Sequence, residues 1–176
     1  MNFITFTRFL LNIFDYHQQK KIIKFFKKNL YKDLLIFDIG AHHGETVFLF
    51  KKNFIIKKIY CFEASNINYK ILKLNIERKN LMDLCSLNNL AAGEVQKDFF
   101  MNQSEESSSS SINQINENSK YYKKKLKFLN YSDANNFYKK VPIKMITLNQ
   151  FILQNKISHI DILKIDTEGY ELNILK

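Results

Sequence analysis

A chain of 176 residues that is 45% hydrophobic, with 16 Phe and 9 Tyr, is long enough for one domain around a single core and too apolar for the disordered class. Its formal charge of +10, from 27 Lys+Arg against 17 Asp+Glu, admits an anionic partner. Abundant Lys, Asn, Ile and Phe beside only 4 Gly, 1 Pro and no Trp make a solvated lysine coat the simpler reading. Cys61 and Cys85, the two cysteines, sit in strand-like apolar surroundings without a partner at CxxC spacing; they read as buried reduced thiols of a cytoplasmic protein, with no structural zinc or other metal site expected.

The N-terminal stretch MNFITFTRFLLNIFDYHQQKK lacks a basic leader, and Thr5, Thr7, Arg8, Asn12 and Asp15 interrupt it, which argues against an export signal or a membrane span. Phe6, Phe9, Leu10, Ile13 and Phe14 fit one helical face, which packs on the domain in the preferred reading and lies on a membrane surface or a partner in the alternative. A second helix is predicted over residues 18–29 with Ile22, Ile23, Phe25 and Phe26 inward, so residues 1–33 form a helical segment ahead of a main domain at 34–176. The first strand, 34–39, has no alternation, as expected where both faces of a parallel sheet are covered. A helix starts after Gly44, with Glu45 at its positive end. A strand at 58–62 ends at Glu63, and Ser65 caps a helix carrying Ile67, Ile71, Leu72 and Leu74.

A third strand is predicted over 84–90, ending near Ala91. Residues 95–140, with SEESSSSS and KYYKKKLK, read as a flexible insertion, although KDFFMN and VPIKMI at its edges predict an antiparallel excursion with a mobile tip. Thr147 and Gln150 make a T-x-x-Q capping box, and a last strand at 160–165 leads into DTEGYELNILK. The alternation of strand and helix predicts an α/β fold with a mostly parallel sheet, whose ligand crevice lies beyond the carboxyl ends of the strands.

Acidic residues stand at those ends: Asp38 with Gly40, then Glu63, then Asp166 with Glu168. The loop FDIGAHHGET reads D-x-G-x-x-x-G, and His42 occupies the position where a dinucleotide fingerprint needs its second glycine. Glu63 follows Gly40 by 23 positions, close to the ~20 at which an acid holds ribose hydroxyls. A ligand with a ribose, no pyrophosphate and positive charge is indicated, and S-adenosylmethionine meets all three. Adjacent loop residues are expected to point apart, so His42 rather than the His42–His43 pair is a candidate. Lys164, Asp166 and Glu168 share strand parity if the strand extends so far, either as a structural Lys164–Asp166 pair or as an acceptor-binding and base cluster. Glu171 complements the following helix's positive end, and the serine run 107–111 reads as linker.

FDIGAHHGET, IYCFEAS, LNNLAAG, MITLNQF and IDILKIDTEGYELNIL occur in the order seen in FkbM-type S-adenosylmethionine-dependent methyltransferases, and the chain from Leu34 onward resembles that family. The resemblance implies a class I methyltransferase (Rossmann-like) fold. It places Asp38 and Gly40 at the methionine end of the cofactor, Glu63 on the ribose and residues 166–169 at the methyl-transfer edge. The cofactor-binding set is then Asp38, Gly40, Ala41, Gly44, Glu63 and Ala91, and the catalytic set Asp166, Glu168, Lys164 and His42. Asn149 stands where the family more often has Asp. Such folds usually continue with three more strands, so the chain reads as truncated before its last strands and is expected to be weakly active alone. DTEG is not the D/N-P-P-Y loop of nucleobase amine methylation. The resemblance therefore implies O-methylation of a sugar, glycan or other small molecule, with an RNA methyltransferase or a non-catalytic remnant as the alternatives.

Overall fold

The computed structural model describes residues 19–30, 32–104, 110–113, 116, 118–128 and 137–176. The helix expected around residues 6–14 and the tip of the excursion at 105–109 and 129–136 lie outside the described residues. Helical residues 19–29 (α1) bury Ile23 and lay the Phe26 ring 6.2 Å from Phe50 and 6.5 Å from Phe54. Ile22 and Phe25 are exposed instead of inward. Residues three apart share a face, and the 23/26 face is the one that meets the core.

β1 (Leu34–Ile39) is buried throughout and is a central strand of a parallel sheet in the order β3-β2-β1-β7, with β2 (Ile56–Phe62), β3 (Cys85–Asn88) and β7 (Ile162–Ile165). Its side chains alternate between two cores. Leu34 and Ile36 pack with Val47 and Phe50 of α2 (Glu45–Asn53) and with Leu72 and Ile76 of α3 (Asn66–Arg78). Leu35, Phe37 and Ile39 pack on the other side with Phe62, Met145 and Phe151. The continuous apolar run is thus explained by burial on both faces. On α3 the buried stripe is Asn68, Leu72 and Ile76 at i, i+4 spacing, while Ile67, Ile71 and Leu74 are exposed. The Ser65 cap forms as expected, its hydroxyl accepting the Asn68 N–H at 3.3 Å.

The predicted third strand is shorter than expected. Asn88 turns its amide onto the Cys61 and Ser86 carbonyls, Asn89 onto those of Glu63 and Ala64, and the chain leaves the first sheet there. It enters a second sheet, order β4-β6-β5, made of β4 (Ala91–Ala92), β5 (Lys97–Ser104) and β6 (Tyr138–Ile146). β5 and β6 pair antiparallel from Lys97↔Met145 to Ser104↔Tyr138, which is the predicted excursion. Within the stretch read as flexible, α4 (Lys120–Phe128) is helical, with Tyr122 buried and stacked on Tyr138 at 6.1 Å.

The capping box at Thr147 is present in both directions, Thr147 Oγ1 accepting the Gln150 N–H at 3.1 Å and Gln150 Oε1 accepting the Thr147 N–H at 3.4 Å. It starts α5 (Leu148–Gln154), which sets Phe151 edge-on to Phe37, Tyr60 and Phe62. Thr147→Ala is expected to cost about 1 kcal/mol, read as a lower urea midpoint with unchanged slope. Among the described residues no helix is long and apolar enough to cross a membrane.

Candidate functional site

β1 ends in a loop whose shape is fixed by backbone contacts. The Gly40 and Ala41 amides both donate to the Phe62 carbonyl at 2.9 Å, and the Asp166 amide donates to the Ile39 carbonyl at 3.0 Å. Gly40 has φ +77°, and a Cβ there would overlap the Asp166 carbonyl. Gly44, at φ +96°, precedes α2. Two of the four glycines therefore sit where left-handed backbone and close approach require them. His42 is left-handed as well, at φ +47°. That turn brings the His42 and His43 rings together, stacked with centroids 3.7 Å apart and planes at 21°, which corrects the expectation that they point apart.

Beyond the carboxyl ends of β1, β2 and β7 lies a cavity of about 420 Å³. Of the predicted residues, Gly40, Ala41, His42, Glu63, Ala91, Lys164, Asp166 and Glu168 line it; Asp38 and Gly44 do not. Glu63 is 7% exposed and clamped: Oε2 accepts the His42 N–H at 2.8 Å and Oε1 the Ser65 N–H at 2.9 Å. Burial pushes its carboxyl above the usual range, opposed by those two amides. The Asn68 side chain also hydrogen-bonds the carboxylate, whose two oxygens together keep acceptor capacity for a further donor.

Asp38 is wholly buried on the Leu34/Ile36 face of β1. Lys164 reaches it from β7, with Nζ 3.1 Å from Asp38 Oδ1, donating to the Gly40 carbonyl at 2.7 Å and standing 3.6 Å from Asp166 Oδ2. The expected Lys164–Asp166 pair thus exists as part of a larger group.

β7 stops at Ile165, so Glu168 does not share strand parity with Lys164; it sits in a loop at φ +54°, followed by Gly169 at φ +98°. That loop is gripped from two sides. Glu171 Oε1 accepts the Thr167 and Gly169 amides at 2.9 and 3.1 Å, and these and its own backbone amide hold its carboxyl below the usual range. Ser111 Oγ donates to the Glu168 carbonyl at 2.9 Å and Asn113 Nδ2 to the Gly169 carbonyl at 2.7 Å. Glu171 does more than complement α6 (Glu171–Ile174).

Residues 38–176 match the methyltransferase FkbM domain. The chain belongs to the FkbM methyltransferase family. A similar solved structure is the crystal structure of methyltransferase FkbM from Methylobacillus flagellatus KT, with 17% identity and a TM-score of 0.52 over 86% of this chain and 31% of that one. The chain thus spans about a third of that protein's length, and the likeness is one of fold. No curated protein matches.

The cavity is also lined by residues that the sequence reading missed: Ser110, Ile112, Thr46, Asn68, Met101 and Thr167. Ser110 and Ser111 were read as linker, yet Ser111 pairs with Asn102 across β5 and Ser110 Oγ holds the Ser104 amide at 3.0 Å. A low-complexity run hides such contacts; Asn68, in contrast, could be found by its i, i+4 spacing from Leu72. His42, His43 and Glu45 offer ligand-type atoms within 4.8 Å of one another, but the Glu45 carboxylate is taken up by the His42 ring at 3.2 Å and the His43 amide at 3.2 Å. The hydrogen bond that the His42 ring makes to the Glu45 carboxylate raises His42 above its ordinary value, while burial and the stacked neighbour lower His43.

Proposed function

We propose that this FkbM domain binds S-adenosylmethionine in the 420 Å³ cavity and directs its methyl group to a hydroxyl of a sugar, glycan or other small molecule. The observation that carries this reading is Glu63, clamped at the cavity wall at the end of β2, beside a loop with His42 where a pyrophosphate site needs glycine. The donor set fits the cofactor. Among the described residues, Glu45, Glu63, Asp166 and Glu168 line the cavity against one lysine, Lys164, in a protein of net charge +10, which suits a sulfonium and an ammonium.

When bound, the cofactor supplies an electrophilic methyl group; the protein's part is alignment, exclusion of water and handling of one proton. Glu63 accepts ribose hydroxyls with the lone pairs its protein donors leave open, and Ile39, Leu90, Ala91 and Met101 provide apolar wall. Asp166 and Glu168, which also line the cavity, are the candidates to take the proton of an acceptor hydroxyl as it attacks. The buried Cys61 and Cys85 are free thiols, which supports a reducing, cytoplasmic location.

Glu63→Ala is expected to weaken binding of S-adenosylhomocysteine by about 1.5 to 3 kcal/mol, the range for hydrogen bonds to charged groups. Calorimetry on the folded variant checks it, and unchanged affinity removes Glu63 from the cofactor site.

A further inference from the structure

We infer that Asp38 and Lys164 form a two-residue anchor that holds the Gly40–Ala41 peptide in its binding shape, so that Lys164 is a positioning residue rather than a base and Asp38 acts without touching the ligand. The consequence for cofactor affinity rests on the reading of the cavity given above.

The register sets the anchor up. Asp38 and Lys164 are Cα partners on the neighbouring parallel strands β1 and β7, so their side chains leave the sheet on the same face. Asp38 is completely buried and does not line the cavity; Lys164 is 25% exposed and does. Three oxygens surround the Lys164 ammonium: the Gly40 carbonyl accepts its hydrogen bond at 2.7 Å, while Asp38 Oδ1 at 3.1 Å and Asp166 Oδ2 at 3.6 Å are ion-pair contacts. Its donors are directed at protein oxygens, which is the geometry of a positioning residue.

The Gly40 carbonyl and the Ala41 amide belong to one peptide unit. Lys164 holds its oxygen while the Phe62 carbonyl holds its N–H at 2.9 Å, so the unit is fixed at both ends. The next amide, that of His42, donates to Glu63 at 2.8 Å. Loss of the anchor therefore loosens the peptide that carries Ala41 into the cavity and, through it, the group placed on the ribose.

The anchor is pH-sensitive. The charged and titratable groups facing Asp38 are Lys164 and Asp166 at the end of β7, Glu45 on α2, Cys61 on β2 and Cys85 on β3. Burial raises the Asp38 carboxyl to about 6 against the attraction of Lys164. A carboxyl raised on folding contributes stability below its unfolded value and loses it as pH rises through about 6. At pH 8 the ionised Asp38 therefore costs stability, and Asp38→Asn removes that cost together with the grip on Lys164.

The test measures S-adenosylhomocysteine affinity at pH 8 and pH 5.5, with urea midpoints, for the 176-residue chain and for Asp38→Asn, Lys164→Met, Lys164→Arg and the Asp38→Asn/Lys164→Met double variant. At pH 8 each of Asp38→Asn and Lys164→Met is expected to lower affinity about tenfold or more. The double variant should be no weaker than the weaker single one, and Lys164→Arg should recover part of the loss. The Asp38→Asn midpoint should stay at or above the parent's, and its affinity should fall less between pH 8 and 5.5 than the parent's. Additive losses, or a midpoint falling in step with affinity, overturn the anchor. If the parent chain binds no S-adenosylhomocysteine, the reading of the cavity fails separately. The anchor is then judged by amide exchange at Ala41 and His42: faster exchange in both single variants upholds it, and unchanged exchange overturns it.

Discussion

Gly40→Ala is expected to produce the largest loss of any single substitution in this domain, on the order of 3 kcal/mol or more of stability, together with loss of cofactor binding. Two costs add at that position. Left-handed backbone at φ +77° carries a penalty of roughly 1 to 2 kcal/mol for a residue with a Cβ, and the new carbon would overlap the Asp166 carbonyl, a backbone atom whose amide is hydrogen-bonded to Ile39. Relief requires β1 and β7 to separate at the edge of the cavity. Gly44→Ala is the control. Its φ of +96° brings the backbone penalty, but the added carbon would meet Leu72 Cδ1 at 3.1 Å, the end of a side chain that can rotate. Urea midpoints of the two variants should therefore differ, with Gly40→Ala much the lower; equal losses would show that the approach of Asp166 does not matter.

The second large effect is on turnover. Asp166→Asn and Glu168→Gln, assayed side by side with a labelled methyl donor and a panel of sugar hydroxyl acceptors, are expected to include one variant whose kcat falls by ~10² to 10⁴ while its affinity for S-adenosylhomocysteine stays within a few-fold of the parent's. Both residues line the cavity, and their settings differ. The Asp166 side chain is 67% exposed and shares Lys164 with Asp38, so its loss also touches the anchor. Glu168 rides on a loop held by Ser111, Asn113 and Glu171, which fixes its backbone independently of Lys164. A fall in kcat alone identifies the base; a fall in affinity with kcat unchanged identifies a binding role. Near-parent kcat in both variants removes carboxylate base catalysis.

The parts of this fold legible in the sequence are those where one local rule acts alone. Leu34–Ile39 reads as a doubly covered strand because nothing polar interrupts it before Asp38, and Thr147 with Gln150 reads as a helix start because the capping box is complete within four residues. The antiparallel excursion was visible from its two strand-like edges. Its helix α4 was hidden, because lysines crowd around Tyr122 and the apolar signal is thin. The site was legible as a set of strand-end positions, and eight of the ten candidate residues line the cavity. The division of labour among them was not. That Asp38 faces away from the cavity depends on the pleat of β1, and that it meets Lys164 depends on a register between strands 126 residues apart. The stacking of His42 on His43 follows from a left-handed φ at a residue that does not ordinarily adopt one.

The central claim is that the cavity beyond β1, β2 and β7 holds S-adenosylmethionine, and the most direct test is calorimetric titration of the folded chain with S-adenosylhomocysteine, set against reduced nicotinamide dinucleotide. The expected result is one site per chain for S-adenosylhomocysteine, abolished in Gly40→Ala, and no saturable heat with the dinucleotide. Saturable binding of the dinucleotide with none of S-adenosylhomocysteine would contradict the account.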